Sequence, residues 1–272
     1  MLKLMYITND PQIARIIERS GVDRVFVDME VIGKQLRQGG MNTVQSSHTV
    51  QDVAAIRKVL TSAELLVRTN PVHPAIAEEI DSVIEAGADI LMLPYFKTVD
   101  EVRYFLSCVN KRVKTMLLFE TPEAVEAIDE ILALDGIDEV LIGLNDLHLG
   151  YKRRFMFELL ADGTVERICE HFKKAGISYG FGGVARVGTG TLPAQCIIGE
   201  HVRLGSQAVI LSRSFCNTSL ITDLYQIEQI FMEEVPKIRQ AEREFAECTV
   251  EQLLENKTKV SKAVDTILEN MK

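Results

Sequence analysis

Leu117-Leu118-Phe119-Glu120-Thr121-Pro122-Glu123-Ala124-Val125, answered one apolar run later by Leu141-Ile142-Gly143-Leu144-Asn145-Asp146-Leu147, decides how this chain is read. Each half is an apolar run that ends in a carboxylate where a loop should begin. A single acid at such a place is usually a helix cap or a solvated loop residue. Two at the ends of consecutive strands are different, because neighbouring parallel strands lie only about 4.8 Å apart. Glu120 and Asp146 could then reach one hard cation.

Working outward, apolar runs of strand length recur at Lys3–Ile7, Arg24–Met29, Glu64–Thr69, Asp89–Tyr95, Lys114–Glu120, Asp138–Leu144, Ser178–Val184 and Ala208–Arg213. They are apolar throughout rather than alternating, as parallel strands covered on both faces must be. Helical patterns separate them, such as Ile13/Ile16/Ile17, Ile76/Ile80/Val83/Ile84 and Ala124/Val125 with Ile128 and Ile131/Leu132. Asp10-Pro11 and Thr121-Pro122 each supply a capping side chain with proline at the first helical position. Gly21, Gly87, Gly136, Gly176 and Gly205 each follow a helical pattern, where a left-handed cap favours glycine. Strands alternating with helices, and no G-x-G-x-x-G after the first strand, predict an α/β fold, a (β/α)8 TIM barrel. Gly180-Phe181-Gly182-Gly183 ends the seventh strand, and serves either close packing or close approach of a ligand.

Beyond the eighth strand run two long stripes, from Leu220 to Val235 and from Val250 to Met271. The expected organisation is a barrel core over residues 1–218 and extra C-terminal helices over 219–272. Those helices should close the barrel and leave an apolar face for a neighbouring subunit, giving a homo-oligomer.

Composition narrows the function. Lys+Arg 30 against Asp+Glu 39, a net charge of −9, argues against nucleic acid as a partner. Five cysteines without a Cys-x-x-Cys pair suit a reduced, cytoplasmic protein with no zinc site. Nothing resembles a signal peptide or a membrane span.

Chemistry in a TIM barrel sits at the C-terminal ends of the strands. Asp28 and Glu30, Arg68, Glu120, Asn145 and Asp146, Arg186 and Arg213 gather there. Carboxylates with water suit Mg²⁺ or Mn²⁺, and arginine forks suit a substrate carboxylate.

The motifs Val27-Asp28-Met29-Glu30, Val67-Arg68-Thr69-Asn70-Pro71, Glu85–Pro94, Phe119–Val125 and Ile142–Leu147 resemble, in order and spacing, the HpcH/HpaI aldolase/citrate lyase β-subunit family. That resemblance implies a metal-dependent carbon–carbon lyase working through an enolate. A 4-hydroxy-2-oxo acid would be cleaved to pyruvate and an aldehyde, or formed from them. It implies Glu120 and Asp146 as the Mg²⁺ or Mn²⁺ ligands, and Arg68 as the catalytic residue holding the substrate carboxylate and the developing enolate oxygen. Asp28 and Glu30 would orient water at the metal, and Asn145 would offer its backbone N–H to the substrate. Apart from the resemblance, Arg186 and Arg213, at the ends of strands seven and eight with no acid nearby in sequence, are expected to read an anionic group on the second substrate.

Three positions depart from the family pattern. Val31 stands where pyruvate aldolases carry a basic histidine, Leu118 replaces a glutamine, and the loop after Asp146 carries Lys152-Arg153-Arg154. Either His48, at the end of the long second loop, or metal-bound hydroxide held by Asp28 and Glu30 is expected to replace that base. His171 and His201 read as packing or surface residues, and His73 as structural. The alternatives are a citrate-lyase-like enzyme of CoA thioesters, whose phosphates the basic run would grip, and a barrel that binds a keto acid without turnover.

Overall fold

A computed structural model of the chain describes residues 1–33 and 48–271. The strands are β1 (Lys3–Ile7), β2 (Arg24–Asp28), β3 (Glu64–Arg68), β4 (Ile90–Leu93), β5 (Lys114–Phe119), β6 (Glu139–Ile142), β7 (Ser178–Val184) and β8 (Ala208–Leu211). They pair in parallel in sequence order and close into a barrel, as a TIM fold requires. Between them lie α1 (Pro11–Arg19), α2 (Val50–Arg57), α3 (Ile76–Glu85), α4 (Val99–Val109), the short α5 (Pro122–Glu126) and α6 (Ile128–Leu132), α7 (Leu144–Gly150), α8 (Glu158–Ala161), α9 (Thr164–Ala175) and α10 (Ala194–Leu204).

The expected caps form. Asp10 accepts from the N–H groups of Gln12 and Ile13, and Thr121 from that of Ala124. Gly176 and Gly205 end α9 and α10 in the left-handed region. Only β1 and β7 keep the expected bounds, the other strands being shorter than their apolar runs by one to three residues, and the helices differ in places too. The sixth strand stops at Ile142, because Leu144 opens α7 rather than prolonging the strand. The fifth helical pattern breaks at Ala127 into α5 and α6, and α8 was not foreseen.

Alternate residues of each strand face opposite ways. Val25, Val27, Leu65, Val67 and Leu91 join the core between strands and helices. Met5, Phe26, Leu66, Met92, Met116, Leu118 and Leu141 form a separate core inside the barrel. Leu118, which departs from the family pattern, belongs to this dry interior, beneath Glu120. Below it, an ion-pair cluster makes a floor. Arg24, 1% exposed, donates from Nε to Glu64 at 2.8 Å and from both Nη atoms to Glu139 at 2.7 and 2.5 Å. Lys114 Nζ bonds Glu64 at 2.7 Å. Burial opposes the Arg24 charge, but the two carboxylates outweigh it and raise its pKa.

Gly180 in β7 serves packing. A Cβ there would lie 2.2 Å from the Ala208 carbonyl oxygen, at a register irregularity between β7 and β8.

Two long helices follow β8, α11 (Leu224–Ala246) and α12 (Val250–Asn270). α11 packs on α1 and α10, and α12 on α8 and α10. The buried members of the α12 stripe are Asn256, Val260 and Val264, and Asn256 bonds Glu200 Oε1 at 2.9 Å. Val250, Leu254 and Met271 remain exposed. No helix among the described residues is long and apolar enough to cross a membrane.

His201 of α10 is fully buried, stacked on Phe181 with ring centroids 3.8 Å apart and bonded through Nδ1 to Ser206 Oγ at 2.7 Å. Burial disfavours its charged form and lowers its pKa to about 3. Between that value and the ordinary 6.5, the unfolded chain binds a proton that the folded one refuses. Stability therefore falls as pH drops below 6.5. Urea unfolding at pH 7.5 and 5.5 should show a loss of about 1.4 kcal/mol from this group. His201→Gln should flatten the slope by that amount; an unchanged slope would mean that the imidazole titrates normally in the folded state.

Candidate active site

The mouth is built from the strand ends. Because Asp28 and Arg68 share the inward parity of Phe26 and Leu66 and are register partners, the two side chains meet above the apolar interior. Asp28 takes Arg68 Nε and Nη2 at 2.8 Å each, a two-pronged pair that leaves Asp28 1% exposed. Glu30, equally buried, lies 3.5 Å from Arg68 Nε. Burial works against the Arg68 charge. The charges of Asp28, then Glu30 and Glu120, outweigh it and raise the pKa. Asp28, Glu30, Arg68 and Glu120 thus form one electrostatic unit.

Glu120 follows the last residue of β5 and is 3% exposed. Its Oε1 accepts the Tyr95 N–H at 2.9 Å. Tyr95 has a φ of 48°, a left-handed conformation costing a non-glycine residue about 1–3 kcal/mol. That strain aims a backbone donor at the carboxylate. Oε2 of Glu120 lies over Gly143, where a Cβ would come within 2.8 Å of it and of the Glu120 Cβ. Asp146 stands in the first turn of α7, which begins one residue past Gly143, and is 8% exposed. Asn145 precedes it at the second position of that helix, where the backbone N–H has no intrahelical acceptor.

His48, the candidate base, lies beside the acid pair. Its Nδ1 accepts the Asp28 N–H at 2.9 Å. A neutral ring accepting there carries its hydrogen on Nε2, where it can donate but offers no lone pair. Positions 34–47 of the second loop lie outside the described residues. His73 is held by Glu79 at 2.9 Å and His171 by Asp129 at 2.6 Å.

Arg186 is half-buried two residues beyond β7, and its Nε is buried without a hydrogen-bond partner among the described residues. Arg213 is exposed two residues beyond β8. In the strand order both stand across the barrel from β3 and β4. In the basic run, Arg153 is committed to Asp162 at 2.8 Å.

Gly143 and Tyr95 were not singled out in the sequence. Their roles depend on a close approach and a backbone angle, and only the glycine left a trace, between Ile142 and Leu144.

Residues 3–187 match the model of the HpcH/HpaI aldolase/citrate lyase family. The chain belongs to that family. It is similar to a hydroxypyruvate/pyruvate aldolase of Rhizorhabdus wittichii, 28% identical over 213 residues that cover 64% of this chain and 77% of that protein. A hydroxypyruvate/pyruvate aldolase of Roseovarius nubinhibens is 24% identical over 156 residues, 51% of this chain and 60% of the relative's length. Among solved structures, the HpcH/HpaI aldolase of Desulfitobacterium hafniense superposes with a TM-score of 0.63 at 18% identity, covering 84% of this chain and 93% of the other. A citrate synthase shares the fold with a TM-score of 0.61 at 18% identity, covering 83% and 92%. The names of the HpcH/HpaI family and of these aldolases indicate a carbon–carbon lyase of the aldolase type.

Proposed function

We propose that this HpcH/HpaI chain is a divalent-metal-dependent aldolase that cleaves or forms a 4-hydroxy-2-oxo acid by way of a pyruvate enolate. The observation that carries the reading is the buried unit of Arg68 with Asp28, Glu30 and Glu120 at the C-terminal mouth of a barrel of this family.

The residues fit a hard divalent ion. Among the described residues no group of three or more His, Cys, Asp or Glu forms a closed metal cage. Two buried carboxylates, Glu120 and Asp146, with open positions instead suit Mg²⁺ or Mn²⁺, which keep several waters. Such an ion, chelated by a 2-oxo acid, would supply Lewis-acid stabilisation of the enolate. Glu120 and Asp146 would hold it, with the Tyr95 N–H and the gap at Gly143 fixing the Glu120 carboxylate.

Arg68 binds the substrate. Its Nε and Nη2 edge is committed to Asp28, so a substrate oxygen is met from Nη1. Asp28 and Glu30 keep the guanidinium charged and oriented, with its charge ready for the enolate oxygen. Asn145 offers its N–H to the substrate carboxylate. His48 can donate from Nε2 toward the substrate, its tautomer set by the Asp28 N–H. Arg186 and Arg213 read a carboxylate or phosphate on the aldehyde.

Exchange of pyruvate methyl protons with D₂O, followed by NMR with Mg²⁺ present, tests the reading. Exchange is expected, and Arg68→Ala should remove it. Pyruvate bound without exchange would leave a binding barrel. Exchange only from a CoA thioester would favour the citrate-lyase branch, although the Arg153–Asp162 pair takes one cation out of the run that branch would use.

Gly143→Ala should weaken Mn²⁺ binding about 10–100-fold, as loss of an orienting contact does. The new methyl group displaces Glu120 while the strand and helix remain. Calorimetric titration beside a far-ultraviolet melt checks this, and parental affinity would show that the carboxylate is free to shift.

A further inference from the structure

We propose that Asn70, clamped by Glu79 and His73, is a positioning residue of the active site; the inference rests on the aldolase reading above. The turn after β2 follows the acid pair directly, and apolar packing does not hold it. Val31 and Ile32 are 52% and 44% exposed. Hydrogen bonds hold it instead, and they account for five successive backbone N–H groups. Asp28 N–H goes to His48 Nδ1 at 2.9 Å, Met29 N–H to the Arg68 carbonyl at 3.0 Å, and Glu30 N–H to Asp28 Oδ1 at 3.3 Å. The last two, Val31 and Ile32, both go to Asn70 Oδ1, at 2.9 and 3.0 Å.

Asn70 can do this because its amide is oriented from the other side. Glu79, on α3, takes the Asn70 backbone N–H on Oε1 at 2.8 Å and the Asn70 Nδ2 on Oε2 at 3.0 Å. His73 Nε2 meets the same Oε2 at 2.9 Å. Nδ2 therefore faces the carboxylate and Oδ1 faces the turn. Only an amide serves both sides, since a carboxylate could accept from the turn but would repel Glu79. Pro71 further restricts the Asn70 backbone. Asn70 stands two residues past Arg68 on the same chain. One rigid corner thus sets the guanidinium and, through the Val31 and Ile32 amides, the Asp28–Glu30 segment that faces it.

The clamp separates positioning from general stability by its own chemistry. Asn70→Asp places two carboxylates face to face and should lower kcat for pyruvate proton exchange about 10–100-fold, with KM changed less. Asn70→Asp combined with Glu79→Gln restores a donor opposite the acceptor and should recover most of that loss. In parallel, Asn70→Ala should speed hydrogen exchange of the peptide covering residues 24–33, measured by mass spectrometry on the full chain without metal or pyruvate. No change in that exchange would overturn the proposal, as would a double variant as slow as Asn70→Asp. The amide measurement needs no turnover. If the parent itself leaves pyruvate protons unexchanged, the aldolase reading falls, and Mn²⁺ affinity by calorimetry decides the clamp: a loss in Asn70→Asp regained in the double variant supports it, equal affinities refute it.

Discussion

Arg68→Lys is expected to lower kcat/KM for the 2-oxo acid by about 10²–10³-fold, the usual cost of removing one preorganised donor from a developing oxyanion. The charge survives this substitution, so simple electrostatics would forecast a mild effect. The geometry forecasts a large one. Arg68 spends Nε and Nη2 on Asp28 and, in the role proposed for it, turns Nη1 to substrate, a division of labour that one ammonium group cannot repeat. Lysine would have to choose between the buried carboxylate and the enolate oxygen. If it stays with Asp28, kcat falls; if it turns to substrate, Asp28 is left buried with a donor missing. Steady-state kinetics with pyruvate release as readout measures the outcome. Nearly parental kcat/KM would assign Arg68 to a structural ion pair.

Glu120→Ala and Asp146→Ala should each abolish measurable Mn²⁺ binding in calorimetry and, with it, pyruvate proton exchange. Two carboxylates are the whole of the proposed donor set, so neither loss can be compensated by a third ligand. The fold should persist in both, because both acids lie at the mouth, beyond the apolar interior of the barrel. Retained circular dichroism with lost affinity is the expected pattern. Unchanged affinity in both variants would remove the metal from this site.

The strands were legible because burial on both faces writes itself as unbroken apolar runs, and β1 and β7 begin and end where those runs do. At β6 the apolar run outlasts the strand. Apolar continuity through Leu144 cannot distinguish a strand that goes on from a helix that starts, and here a helix starts. At the mouth, acids and arginines stood out as charges closing apolar runs. Their partners did not. The family resemblance named Asp28 for the site, but not the two-pronged pair its carboxylate makes with Arg68. His48 was legible as a histidine near the site, but not the direction of its ring, which the Asp28 N–H decides. Asn70 lay inside a quoted motif, yet its bonds to Val31, Ile32 and Glu79 join segments that only the barrel brings together.

The floor cluster has a bearing on how the barrel assembles. β2 opens with Arg24 opposite Glu64 and closes with Asp28 opposite Arg68, so the two strands carry charge pairs of reversed polarity at their two ends. A slip of two residues would preserve which side chains point inward, and apolar residues alone would tolerate it. With these ends, the same slip sets Arg24 against Leu66 and Phe26 against Arg68. It strands ions in a dry interior at several kcal/mol apiece. Arg68, proposed to meet substrate, is thus also a register mark, and misaligned pairings of β2 with β3 are penalised before the site exists.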